Sequence, residues 1–159
     1  MKKLDEILMK ILYIVCAGLM FMMAAVIFAQ VVFRYVVGSS LTWSEELGRY
    51  IFVWMSFLGM TVAMKKGSHV ALDVLVQYLK GVSQKTLMVL NNLLVGFFGS
   101  VLFYSGYKLV SLGVGQKSPT LGIPMQYLYT VIPVSGIILV YFVISQTLQM
   151  FAKGDDING

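Results

Sequence analysis

Residues 41–64 read Leu-Thr-Trp-Ser-Glu-Glu-Leu-Gly-Arg-Tyr-Ile-Phe-Val-Trp-Met-Ser-Phe-Leu-Gly-Met-Thr-Val-Ala-Met, and the apolar part of this stretch is too short to cross a bilayer. From Tyr50 to Met64 there are 15 residues. As a helix they reach roughly 22 Å, against a hydrocarbon core of about 30 Å. A spanning helix must therefore start near Thr42, which draws Glu45, Glu46 and Arg49 into or against the membrane. Ionisable groups placed there are costly unless they pair or face protein, so they mark a functional or assembly site. The pattern predicts a chain built to hold a partner.

Composition supports a lipid environment. Of 159 residues, 58% are hydrophobic and only 12% charged, too apolar for a water-soluble domain of this length. Four long apolar stretches stand out, at 11–33, 42–64, 87–112 and 128–150. Each approaches or exceeds the roughly 20 residues of a spanning helix. Strand edges cannot face hydrocarbon unpaired, so the predicted fold class is all-α integral membrane, a single domain over residues 1–159.

The formal charge of +5 does not point to nucleic acid, because the basic residues sit in connections between apolar runs and form no aromatic-interleaved patch. They fit a topology instead. With the N-terminus in the cytoplasm, the inner side carries Lys2, Lys3, Lys10, Lys65, Lys66, Lys80, Lys85 and Lys153, and the outer side Arg34, Arg49, Lys108 and Lys117. That excess predicts both termini inside. The first apolar run is too long for a signal peptide, and Gln30, Phe33 and Arg34 do not form a small-residue cleavage site. The lone Cys16 reads as apolar filler.

Local patterns add detail. Leu4, Ile7, Leu8 and Ile11 recur at i, i+3, i+4, i+7, which predicts a short amphipathic helix on the membrane surface before the first span. Ala25 with Ala29, and Gly96 with Ser100, form small-xxx-small pairs suited to close helix approach. Gly38-Ser39-Ser40 breaks the first helix, and Thr42 with Glu45 reads as a capping box. Leu72, Leu75, Val76 and Leu79 oppose His69, Asp73, Gln77 and Lys80, which predicts an interfacial helix over about 69–80. Asn91 and Asn92 need partners on another helix. In 113–126, Pro119 and Pro124 forbid regular helix, and Pro133 is expected to kink the last span.

The strongest constellation is Glu45, Glu46 and Arg49. Either carboxylate can meet the guanidinium, at i, i+4 or i, i+3, and one arginine cannot neutralise both. Arg34, across the turn, is the nearest further cation. Two readings stand: an exposed ion-pair cluster, or a buried polar clamp that fixes the first two helices and docks a partner. Trp43 and Trp54 flank it, one suited to the interface and one to a helix contact. His69 and Asp73 supply only two ligands, so no metal site is predicted, and a surface pair or a partner contact remains. No nucleotide-binding or nucleophile motif occurs, so no catalytic residue and no cofactor are predicted.

Phe33-Arg34, Leu41-Thr42-Trp43-Ser44-Glu45-Glu46, Arg49-Tyr50, Trp54, Phe57-Leu58-Gly59, His69 and Asp73 together resemble the small membrane subunit of the tripartite ATP-independent periplasmic (TRAP) transporters. Gly115-Gln116, Ser118-Pro119, Leu121, Ile123-Pro124-Met125, Tyr129 and Ile132-Pro133 continue the likeness, over about residues 10–150. The resemblance implies a non-enzymatic subunit in the bacterial inner membrane, paired with a large membrane subunit on a separate chain. In such systems the large subunit carries substrate with sodium, and a soluble periplasmic protein delivers it. Substrates of the family are organic acids such as C4-dicarboxylates, keto acids or sialic acids. The small subunit then acts as a brace. Arg34, Trp43, Glu45, Glu46, Arg49, Trp54, His69 and Asp73 become candidates for bracing or partner contact. The alternative is a self-contained small proton-coupled exporter using Glu45 or Glu46.

Overall fold

The computed structural model describes the backbone of residues 2–38, 41–76 and 82–154, and the side chains of 3–38, 41–66 and 89–149. Helix α1 spans Lys2–Val32 and runs into a π-helical turn, Phe33–Val37, which Gly38 ends in the left-handed region at φ 72°. Helix α2 spans Thr42–Val76, α3 Val82–Gly113, the short α4 Gln126–Tyr129 and α5 Val131–Gly154. Four of these are long and apolar enough to cross a membrane. The chain is an all-α membrane protein with four spans.

Two surface helices expected as separate pieces are continuous with spans. The Leu4–Ile11 stretch forms the opening turns of α1. Residues 69–76 prolong α2 without a break, and 77–80 lie outside the described residues. No Pro or Gly–Pro signal separates either stretch from its span, so helix propagation carries through.

The helices stand in the spatial order α1–α2–α5–α3, with α1 and α3 at the two ends of the row. Burial follows this order. Of the most apolar stretch of each span, 6% is buried in α1 and 11% in α3, against 22% in α2 and 33% in α5. The core is small: Leu12, Leu58, Val131 and Phe142, flanked by Leu8, Cys16, Trp54 and Phe57. Two buried hydroxyls in the spans are satisfied within their own helices: Thr61 donates to the Leu58 carbonyl at 2.6 Å and Ser135 to the Ile132 carbonyl at 2.9 Å.

Helices α3 and α5 make the closest interface, and its cause is a seam of small residues. Asn92, Gly99, Gly106 and Gly113 repeat every seven residues and all are buried, a spacing that keeps one face of a helix on its neighbour. A Cβ at Gly106 would stand 2.6 Å from the Pro133 Cδ, and one on Gly136 would stand 2.7 Å from the Phe103 backbone nitrogen. Asn92 donates to the Thr147 hydroxyl at 3.2 Å. The expected Gly96/Ser100 face is peripheral: Gly96 has ordinary contact with Val143, and Ser100 is exposed and bonds the Gly96 carbonyl. Pro133 occupies the first turn of α5, where its missing N–H is harmless, and the irregularity falls at Thr130.

Gly106→Ala or Gly136→Ala is expected to destabilise the solubilised chain by about 1–3 kcal/mol, since backbone would have to move. Gly18→Ala, where a Cβ meets nothing within 4 Å, should leave thermal unfolding unchanged or slightly raised.

Candidate functional site

The trio predicted from sequence divides. Glu45 and Arg49 point outward as a loose pair, 3.7 Å apart, with both side chains 71% exposed. Glu46, one residue and 100° further round the helix, points inward and is buried. Its carboxylate accepts three hydrogen bonds. The Tyr50 hydroxyl, one turn on, donates to Oε1. The backbone N–H groups of Thr120 and Leu121 donate to Oε2 at 2.9 and 3.0 Å. Successive N–H groups converging on one oxygen form a small anion-binding concavity, and Glu46 fills it.

The loop holding those N–H groups is compact. Ser118 N–H donates to the Ile123 carbonyl and Met125 N–H to the Gln116 carbonyl, each at 2.9 Å. Lys117 and Pro124 thereby face each other as an antiparallel bridge. Gly122, at φ 67°, makes the reversal that a side chain would resist. The hydroxyl of Ser118 is buried beside Glu46 without a partner of good geometry among the described residues. Thus a side chain of α2 fixes the connection between α3 and α5.

At the other end of the helices, along their axes, lies a second carboxylate node, centred on Asp5. This residue is only 6% exposed. It accepts from Lys65 at 2.8 Å, Tyr141 at 3.0 Å, Ser145 at 2.7 Å and Gln149 at 3.2 Å. The Lys65 ammonium also sits 5.1 Å from the Phe142 ring centroid. Asp5 therefore joins α1, α2 and α5. The apolar periodicity that predicted a surface helix has the opposite sense, because Leu4, Ile7 and Ile11 are more than half exposed and Asp5 faces protein. In lipid, the apolar face of a helix can look outward while its polar residue is buried with partners.

The remaining candidates are scattered. Arg34 is exposed within the π-helical turn and makes no ion pair with the described residues. Trp43 is 41% exposed, while Trp54 packs against the core. The backbone of His69 and Asp73 lies on α2, but their side chains fall outside the described residues. Thr42 is the first helical residue of α2. The turn closes through Ser44, whose N–H and hydroxyl donate to the Leu41 carbonyl at 3.1 and 2.7 Å.

The arrangement is suited to holding shape. Each node ties the α1–α2 pair to the α3–α5 pair, one at each end, and apolar packing lies between. Among the described residues no cluster of His, Cys, Asp and Glu could hold a metal.

Residues 23–153 match the family described as "Tripartite ATP-independent periplasmic transporters, DctQ component". A TRAP transporter small permease protein of Haemophilus influenzae is 26% identical over 149 residues, covering 94% of this chain and 92% of that protein. The sialic acid TRAP transporter small permease protein of Vibrio cholerae is 27% identical, over 89% and 82% of the two chains. The sialic acid TRAP transporter permease protein of another Haemophilus influenzae strain is 28% identical over 92% of this chain but only 23% of its own length. With four spans and a family match over most of its length, the chain belongs to the DctQ component of the TRAP transporters, a family of membrane transporter subunits and not of enzymes.

Proposed function

We propose that this subunit is the fixed brace of a sodium-coupled TRAP importer of organic acids, joined in the inner membrane to a large subunit on a separate chain. The observation that carries the reading is the pair of internal carboxylate nodes: both tie helices or loops of this chain to one another, and neither leaves an open ion or substrate site. A relative that matches this chain over only 23% of its own length is named a TRAP transporter permease protein, which supports a large partner. The excess of lysine on the connections at the Asp5 end supports placing both termini in the cytoplasm. The Glu46 end, with its hairpin, then faces the periplasm and the substrate-delivering protein.

Glu45, Arg49 and Arg34 are exposed, so they are available for partner contact. Arg49→Ala is expected to lower recovery of the large subunit on a tagged small subunit without shifting thermal unfolding, since an exposed i, i+4 pair contributes only about 0.3–0.5 kcal/mol. Unchanged recovery would remove Arg49 from the interface. The exporter alternative needs a carboxylate free to exchange protons at mid-depth. Here Glu46 is occupied and Glu45 lies at a helix end. Liposomes containing this subunit alone should show no pH-driven transport, and uptake should require the large subunit, the binding protein and a sodium gradient. Transport by the isolated chain would overturn the proposal.

A further inference from the structure

We propose that the groove between α1 and α2, at the Asp5 end, binds an anionic phospholipid. Lys65 and Lys66 are consecutive yet have different fates. Lys65 turns inward to Asp5, whereas Lys66 is exposed and lays its ammonium 4.9 Å from the Tyr13 ring centroid on α1. A cation held over an aromatic face at a helix–helix junction keeps part of its charge available to a third group. Lys10 lies one turn before Tyr13, and Lys3 two turns before Lys10, both exposed. Glu6 is the one carboxylate on that face of α1, and it makes no ion pair among the described residues. Among the described residues, three lysines against one carboxylate leave two positive charges unneutralised. They sit where the apolar spans end, the depth of lipid phosphates.

The surface beneath has room for a chain. On α1, Ala17 and Met20 follow Tyr13 at i+4 and i+7, and both are exposed. On α2, Gly59 and Ala63 precede Lys66 at i−7 and i−3. A Cβ built on Gly59 meets nothing within 4 Å, so this stretch is open. A headgroup phosphate between Lys10 and Lys66 thus has space for an acyl chain below it, along small side chains. A zwitterionic lipid carries its own cation and gains less from the two charges, so the site selects phosphatidylglycerol or cardiolipin.

The test uses the full chain in nanodiscs of equal phosphatidylglycerol and phosphatidylcholine, with retained lipid read by native mass spectrometry. Phosphatidylglycerol should be retained preferentially, and the preference should fall about fivefold for each lysine removed in Lys10→Gln and Lys66→Gln. Lys66→Arg should keep it, and Lys117→Gln, at the other end, should not alter it. These positions are exposed, so the variants should retain wild-type helicity and thermal unfolding. Equal retention of the two lipids, an unchanged preference in Lys10→Gln/Lys66→Gln, or an equal loss in Lys117→Gln would overturn the proposal.

Discussion

Asp5→Ala should lower the thermal stability of the solubilised subunit more than any other change at a polar position. The substitution strips a largely buried ammonium of its counter-charge and leaves Tyr141 and Ser145 without their acceptor, while Gln149 keeps only Ser145. Breaking a buried pair by removing one partner costs about 3–5 kcal/mol. Lys65 has a side chain only 17% exposed, so water relieves little of this. Lys65→Met should be similarly harmful, because it strands the carboxylate. Asp5→Ala/Lys65→Met together should cost clearly less than the sum of the two single changes, since neither charge is then left alone. Thermal unfolding of the four proteins in one detergent checks this. Additive losses would show that Asp5 and Lys65 do not act as a pair.

Glu46→Ala should have the second largest effect, with a different signature. Its loss leaves the Thr120 and Leu121 N–H groups without their acceptor and the Tyr50 hydroxyl with only the Met125 sulfur, at 3.4 Å. Donors left without an acceptor destabilise the loop, although a surface loop can shift to hydrate its own. The damage should therefore appear as release of the 117–124 hairpin. Backbone amides there should lose hydrogen-exchange protection, and the loop should become cleavable by protease, while the spans stay protected. Glu46→Gln keeps an acceptor oxygen and should fall between. Glu45→Ala, in the exposed pair, should resemble wild type. Equal exchange at 118–123 in Glu46→Ala would show that the hairpin holds itself.

The spans were legible because hydropathy is a one-dimensional property of the chain, and four apolar runs suffice to count them. The polar ties were legible only in part. Glu46 attracts notice as a carboxylate inside a span, but its partners are backbone N–H groups 74 and 75 residues away, which no side-chain pattern announces. Arg49 looked like its natural mate by spacing, yet it pairs with Glu45, on the exposed side of the helix. Asp5 is hidden in the sequence because the flanking Leu4, Ile7, Leu8 and Ile11 outweigh it in any amphipathic reading. Its hydrogen-bond acceptance from residues 136 to 144 positions away exists only after folding. The glycine seam is present in the sequence at seven-residue spacing, but the four-residue spacing of Gly96 and Ser100 is the commoner packing signature and competes with it. Side-chain orientation within lipid, where both faces of a helix can be apolar, is what periodicity resolves least.

Four helices standing in file have little depth, so resistance to flexing cannot come from a thick interior. It comes from the two membrane edges, where two acidic side chains act as rivets between adjoining leaves. Cutting one rivet would turn the panel into a door swinging on the other, and the axis of that swing would depend on which was cut. Damage at the Asp5 corner should loosen the leaves at the end bearing the termini, and damage at the Glu46 corner should loosen the end bearing the hairpin.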